Sequence, residues 1–159
     1  MATTLMMQVP GVVGASLTRG YEGWFVVSRQ RMVTTTPEVT VQGSGAGRAT
    51  FGGLKIEIPI QRGIADLMLH AMKQTSLAKL TVDALNRNGG SSFRSLRIEL
   101  NTAFLTNFEI VDDVSSAPAV CSIAIIAARM SVTNSYLSPA GAVVNEAVRV
   151  FNFATNVHG

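Results

Sequence analysis

The sequence predicts a mainly β protein: an antiparallel β-barrel with one short α-helix and a long glycine-rich loop. Three observations carry this. Most apolar stretches alternate in and out with period two, as strands do, while only one follows the helical period. Turn residues punctuate the chain at short intervals. Hydrophobic residues make up 47% of the 159 residues, which is enough for a real core in one domain spanning residues 1–159.

Leu5–Val9 reads as a first strand, broken by Pro10-Gly11. Trp24–Ser28 is a second, rich in aromatic and β-branched residues, with a continuation through Met32 and Val33. Thr34–Thr50 carries the weakest core signal and holds Gly43-Ser44-Gly45-Ala46-Gly47, so it reads as a flexible arm. It is no phosphate loop, because Gly47 is followed by Arg48-Ala49 and not by Lys and Ser/Thr. Phe51–Ile60 is a strand with Leu54, Ile56, Ile58 and Ile60 on one face and Lys55 and Glu57 on the other.

The period then changes. Ile64, Leu67, Met68, Ala71 and Met72 form one apolar stripe on a helix over residues 63–74, with Asp66 in the first turn and Lys73 in the last. Leu77–Leu85 is a strand, Asn86–Gly90 a turn, and Phe93–Leu100 the returning strand, with Arg97 and Glu99 facing away from Leu96, Ile98 and Leu100. Ala103–Val111 and Val120–Tyr136 are further strands. The latter is apolar on both faces at its start, through Ile123 and Ile125 and through Ala124 and Ile126. An antiparallel sheet normally wets one face, so burial on both sides is expected there, by the protein itself or by a neighbouring subunit. Val148–Phe153 closes the chain as a last strand after a turn at Pro139–Ala142.

Only 14% of residues are charged, which leaves little to solvate a lone 16.9 kDa particle and points to surface hidden in an assembly. The ten arginines and three lysines give a net charge of +3 without a basic run, so nucleic acid is not an expected partner. A single-stranded nucleic-acid barrel, using Phe51 near Arg48 and Phe93 near Arg94, is the alternative binding reading. Cys121, the one cysteine, sits in an apolar run and reads as a buried hydrophobe. His70 and His158 are far apart in sequence and form no metal or nucleophile motif with Cys121, and a hydrolase built on His70 ranks last. Asp112-Asp113 reads as a turn pair. No catalytic residue, cofactor or metal is expected. No stretch reaches the ~20 apolar residues of a membrane helix, and Met1–Thr18 lacks the basic start of a secretory signal, so cytoplasmic synthesis is expected.

Gly14-x-Ser16 followed by Gly23-Trp24-Phe25-Val26-Val27-Ser28 resembles the opening of the Hcp family, tube subunits of the bacterial type VI secretion system. Leu67–Ala71 on the helix, the hairpin at Gly89-Gly90 and the closing Val150-Phe151-Asn152-Phe153 fall in the same order, although the family usually closes on Gly-Trp-Asn. The resemblance implies a β-barrel of two sheets with one helix, six copies closing a ring, and rings stacking into a tube that is expelled from the cell. It implies a spike protein, sheath subunits and small effector cargo as partners, and secretion through the type VI machinery. A tail tube of a related phage or extracellular contractile system is the alternative. The glycine-rich arm, Gln42, Gly43, Ser44, Gly45, Ala46, Gly47 and Arg48, corresponds to the loop that reaches an adjacent ring or subunit.

Overall fold

In the computed structural model, residues 2–35, 50–114, 118–155 and 157–159 are described. The arm residues Gln42–Arg48 lie outside them. The elements are β1 (Ala2–Gln8), β2 (Phe25–Val27), β3 (Arg29–Thr35), β4 (Thr50–Pro59), α1 (Ile64–Lys73), β5 (Leu77–Asn88), β6 (Ser91–Val111), β7 (Val120–Leu137), β8 (Val143–Asn145), β9 (Arg149–Asn152) and β10 (Val157–His158).

All pairings are antiparallel, and the hydrogen-bonded path curls back on itself. β1 pairs with β5, β5 with β6, β6 with β7, and β7 with β4. β4 pairs with β3, and β2 pairs with β1. β2 and β3 are separated only by Ser28, whose amide donates to the Glu57 carbonyl at 2.9 Å. The segment expected as one strand from Trp24 to Val33 is therefore two, because the chain changes partner at Ser28, from β1 to β4. The two layers of the expected barrel are joined by this crossing. β7 is long enough to hold β6 along one side and, on the other, β4 over its first part and β9 and β8 over its later part.

The core follows the alternation. Leu54, Ile56 and Ile58 of β4, Leu80 and Val82 of β5, Ile98, Leu100 and Leu105 of β6, and Cys121, Ile123 and Ile125 of β7 are buried together. Burial pushes the Cys121 thiol up to about 11, so it stays neutral and unreactive. Ile60 does not join the core: β4 ends at Pro59 and Ile60 is exposed.

Several boundaries move. The hairpin turn is only Gly89-Gly90, since Asn86, Arg87 and Asn88 stay paired with Phe93, Ser92 and Ser91. Leu100 and Ala103 belong to one 21-residue strand rather than to two. The polar Asn101-Thr102 that suggests a break in the sequence is a kink: Thr102 takes φ 51°, the left-handed region, inside a continuous β6. Asn107, also left-handed at φ 50°, lies beside a register shift against β7 between Thr106 and Glu109, and the extra residue bends the strand around the barrel.

The helix stripe is only half used. Ile64 and Leu67 are buried and Ala71 packs against the core, but Met68 and Met72 are exposed, the latter at 73%. Gly63 precedes the helix at φ 93°, where a Cβ would sit 2.6 Å from the Val13 carbonyl oxygen and 2.7 Å from the Phe25 ring. Only glycine fits this approach of backbone to ring. Gly63→Ala is expected to cost about 2 kcal/mol or more of stability, read from urea denaturation midpoints. An unchanged midpoint would contradict the packing described.

Candidate assembly surfaces

The motif Gly14-x-Ser16…Gly23-Trp24 has a local reason. The amide of Gly14 donates to the Gly23 carbonyl at 2.7 Å, that of Gly23 to Ser16 at 2.9 Å, and that of Ser16 to Trp24 at 2.9 Å. The loop thus folds into a small clasp. Gly14 lies so close to the Trp24 backbone that a Cβ would stand 2.5 Å from its carbonyl oxygen. Ser16 is buried and its Oγ accepts from the Thr18 amide.

Two side-chain clamps hold this loop to the barrel. Gln61, just before α1, presents its amide to β2 as a strand would. Its Nε2 donates to the Val26 carbonyl at 2.8 Å, and its Oε1 accepts from the Val26 amide at 3.1 Å. This satisfies backbone groups on the side of β2 away from β1. The second clamp is Asp83 of β5, fully buried, held by Arg97 of β6 through Nε at 2.8 Å and Nη2 at 2.6 Å. The Tyr21 hydroxyl donates to the same carboxylate at 3.0 Å, and its ring meets Trp24 edge-on at 4.8 Å. Burial first, and then the Asp83 charge, raise the Tyr21 pKa above its usual value, so the hydroxyl stays a donor.

The sequence pattern alone does not pair Asp83 with Arg97. Continuing the register of Asn88 opposite Ser91 would place Asp83 opposite Leu96. The extra residue at Ser95, whose Oγ donates to the Ala84 carbonyl, shifts the register so that Asp83 meets Arg97. No pattern in the chain announces that bulge.

The clasp is therefore a firm platform, and it displays Leu17 at 93% exposure with Val13 half-exposed. Two more apolar areas face outward. Met68, Leu69 and Met72 line the free side of α1. Ile126 of β7 lies opposite Phe104 of β6, on the sheet face away from the core, beside a groove of about 510 Å³ that also touches Ala71 and Gln74. The doubly apolar start of β7 is thus covered by the core on one side only: Ile123 and Ile125 are buried, whereas Ile126 is 45% exposed. Among the described residues β3 pairs only with β4, β8 only with β7 and β10 only with β9, so strand edges are open as well.

Of the other candidates, His70 is half-buried on α1, and its carbonyl accepts from the Thr75 amide at the helix end. Asp112 and Asp113 follow β6 in a loop. Phe51 stacks on Phe153 at 4.8 Å, and Arg48, its expected neighbour in a base platform, lies outside the described residues. Among the described residues no three His, Cys, Asp or Glu side chains gather as metal ligands. The arrangement is one of clamps, edges and uncovered apolar faces, the equipment of a protein that packs against other chains.

The comparisons with known proteins agree. A family model described as type VI secretion system effector, Hcp, matches residues 6–138. A solved structure described as a type six secretion system protein, with no organism named, is 13% identical with a TM-score of 0.90, covering 99% of this chain and 100% of that one. Hcp1 from Salmonella typhimurium is 12% identical with a TM-score of 0.77, over the whole of both chains. Hcp3 from Pseudomonas aeruginosa, described as a secreted protein, is 11% identical with a TM-score of 0.65, covering 91% of this chain and 97% of that one. At these identities the structural likeness carries the fold, and the family model carries the kinship. No curated protein matches the sequence. The chain belongs to the Hcp family. Its role is that of a type VI secretion tube subunit.

Breaking the buried ion pair from one side leaves a carboxylate in the interior. Arg97→Met is expected to destabilise the fold by about 3–5 kcal/mol, and Tyr21→Phe by about 1 kcal/mol, both read from denaturant unfolding. Equal, small effects from both would show that Asp83 reaches water and does not fasten the clasp.

Proposed function

We propose that six copies of this chain close side by side into a ring, and that rings stack into a tube that is expelled with small effectors in its channel. The observation that carries this is the distribution of uncovered apolar surface. Leu17 stands on the clasp, Met68, Leu69 and Met72 on α1, and Ile126 on the outer sheet face. A two-fold dimer buries the same patch on both partners. A ring buries two different patches at each contact, and closing the rotation hides both around the annulus. Open strand edges at β3, β8 and β10 gain partners in the same way. Firm clamps reduce the entropy lost on docking.

Spike protein, sheath subunits and effector cargo are the partners that go with such a tube, after synthesis in the cytoplasm and release through the type VI machinery. The work is geometric and requires no catalysis of the subunit. The arm from Gln42 to Arg48 reaches the adjacent ring in this reading. Light scattering on the pure protein is expected to give a mass near six subunits, with annuli in negative stain. Gly45→Glu is expected to keep the six-subunit mass while shortening stacks. A monomer at high concentration would remove the ring; unchanged stacking in the variant would remove the arm's part in it.

A further inference from the structure

The outer face of β3 and β4 carries a feature that a tube wall alone does not require. Paired residues share a face, and the register puts Arg29 opposite Glu57 and Arg31 directly opposite Lys55. On the next strand Ser122 of β7 lies opposite Glu57. Arg29, Arg31, Lys55, Glu57 and Ser122 line a groove of about 140 Å³. The one carboxylate makes a single long ion pair, Arg29 to Glu57 at 3.9 Å, between exposed side chains. Like charges directly opposite on neighbouring strands destabilise a sheet. Arg31 and Lys55 bear that cost in a protein with few charges to spend.

We infer that this groove binds the carboxylates of an extended acidic polypeptide segment. Arg29 and Arg31 are two residues apart on one strand face, a separation of about 6.8 Å, which is also the spacing of alternate side chains on an extended peptide. Carboxylates at alternate positions meet Arg29 and Arg31 in turn, with Lys55 sharing the second and relieving its repulsion with Arg31. The Arg forks can hold carboxylates in bidentate fashion. Glu57, and Glu109 beyond Ser122 in the same cross-strand row, repel a continuous polyanion but accept donors from a polypeptide. Among the described residues the lining also offers no aromatic side chain for a base to stack on, which disfavours a nucleic acid strand. The groove lies within one chain and is lined by Ser122 of β7 rather than by Ile126.

The test uses the full chain and a fluorescent Glu-Ser-Glu-Ser-Glu peptide, with binding read by anisotropy. Binding is expected at low salt, weakening as ionic strength rises from about 50 to 500 mM. Arg31→Glu is expected to reduce affinity about tenfold or more, and Lys55→Gln to reduce it less while keeping or raising the melting temperature. Arg94→Glu, on the β5–β6 hairpin strand away from the groove, changes the same net charge and is expected to bind as the parent does. No binding at low salt overturns the inference. So does an equal loss in Arg94→Glu, which reports net charge only, or tighter binding of an oligothymidylate, which reports a polyanion site.

Discussion

The structure depends on β7. One face of this 18-residue strand must be dry, because Cys121, Ile123 and Ile125 are the middle of the core. Both of its edges must be paired, because it joins β6 along one side and β4, β9 and β8 along the other. Its remaining face, with Ala124 and Ile126, is only partly covered by the described residues. A sheet curled around such a strand fills its interior and leaves apolar surface on its exterior. That is the physical link between fold and role in a tube subunit.

The polar clamps follow from the same curl of the sheet. Crossing from β1 to β4 at Ser28 leaves one side of β2 uncovered, and the Gln61 amide fills it. The outer face of β1 and β5 would expose Met6 and Asp83, and the Gly14–Trp24 clasp covers them, pinned by Tyr21 and Arg97. A buried ion pair is a poor way to gain stability compared with apolar packing. Here it fixes the place of the loop on which Leu17 is exposed.

Much of this was legible in the sequence where a single interaction decides the outcome. The alternation of Leu54, Lys55, Ile56, Glu57 and Ile58 is a half-wet strand, and the spacing of Ile64, Leu67 and Ala71 is a helix on a core. Gly89-Gly90 fixed the hairpin. What stayed hidden depends on shifts of one residue. Ser95 moves Arg97 onto Asp83, and a left-handed Thr102 keeps β6 whole where a polar pair reads as a loop. Met68 and Met72 look like core from their spacing alone, since periodicity reports a face and not what lies against it. The Arg31–Lys55 opposition required the register shift at Met32/Thr34 to be placed, and the arm at Gln42–Arg48 lies outside the described residues.

The central claim is that the outer face of β7 around Ile126 is covered by another copy. Ile126→Asp tests it most directly, because the side chain is half-exposed in the isolated chain and its neighbour Ile125 carries the core. Sedimentation equilibrium of this variant, with circular dichroism to follow the strands, is the measurement. The account predicts a folded β protein that sediments as a single subunit. A folded variant that keeps the mass of the parent assembly would contradict it.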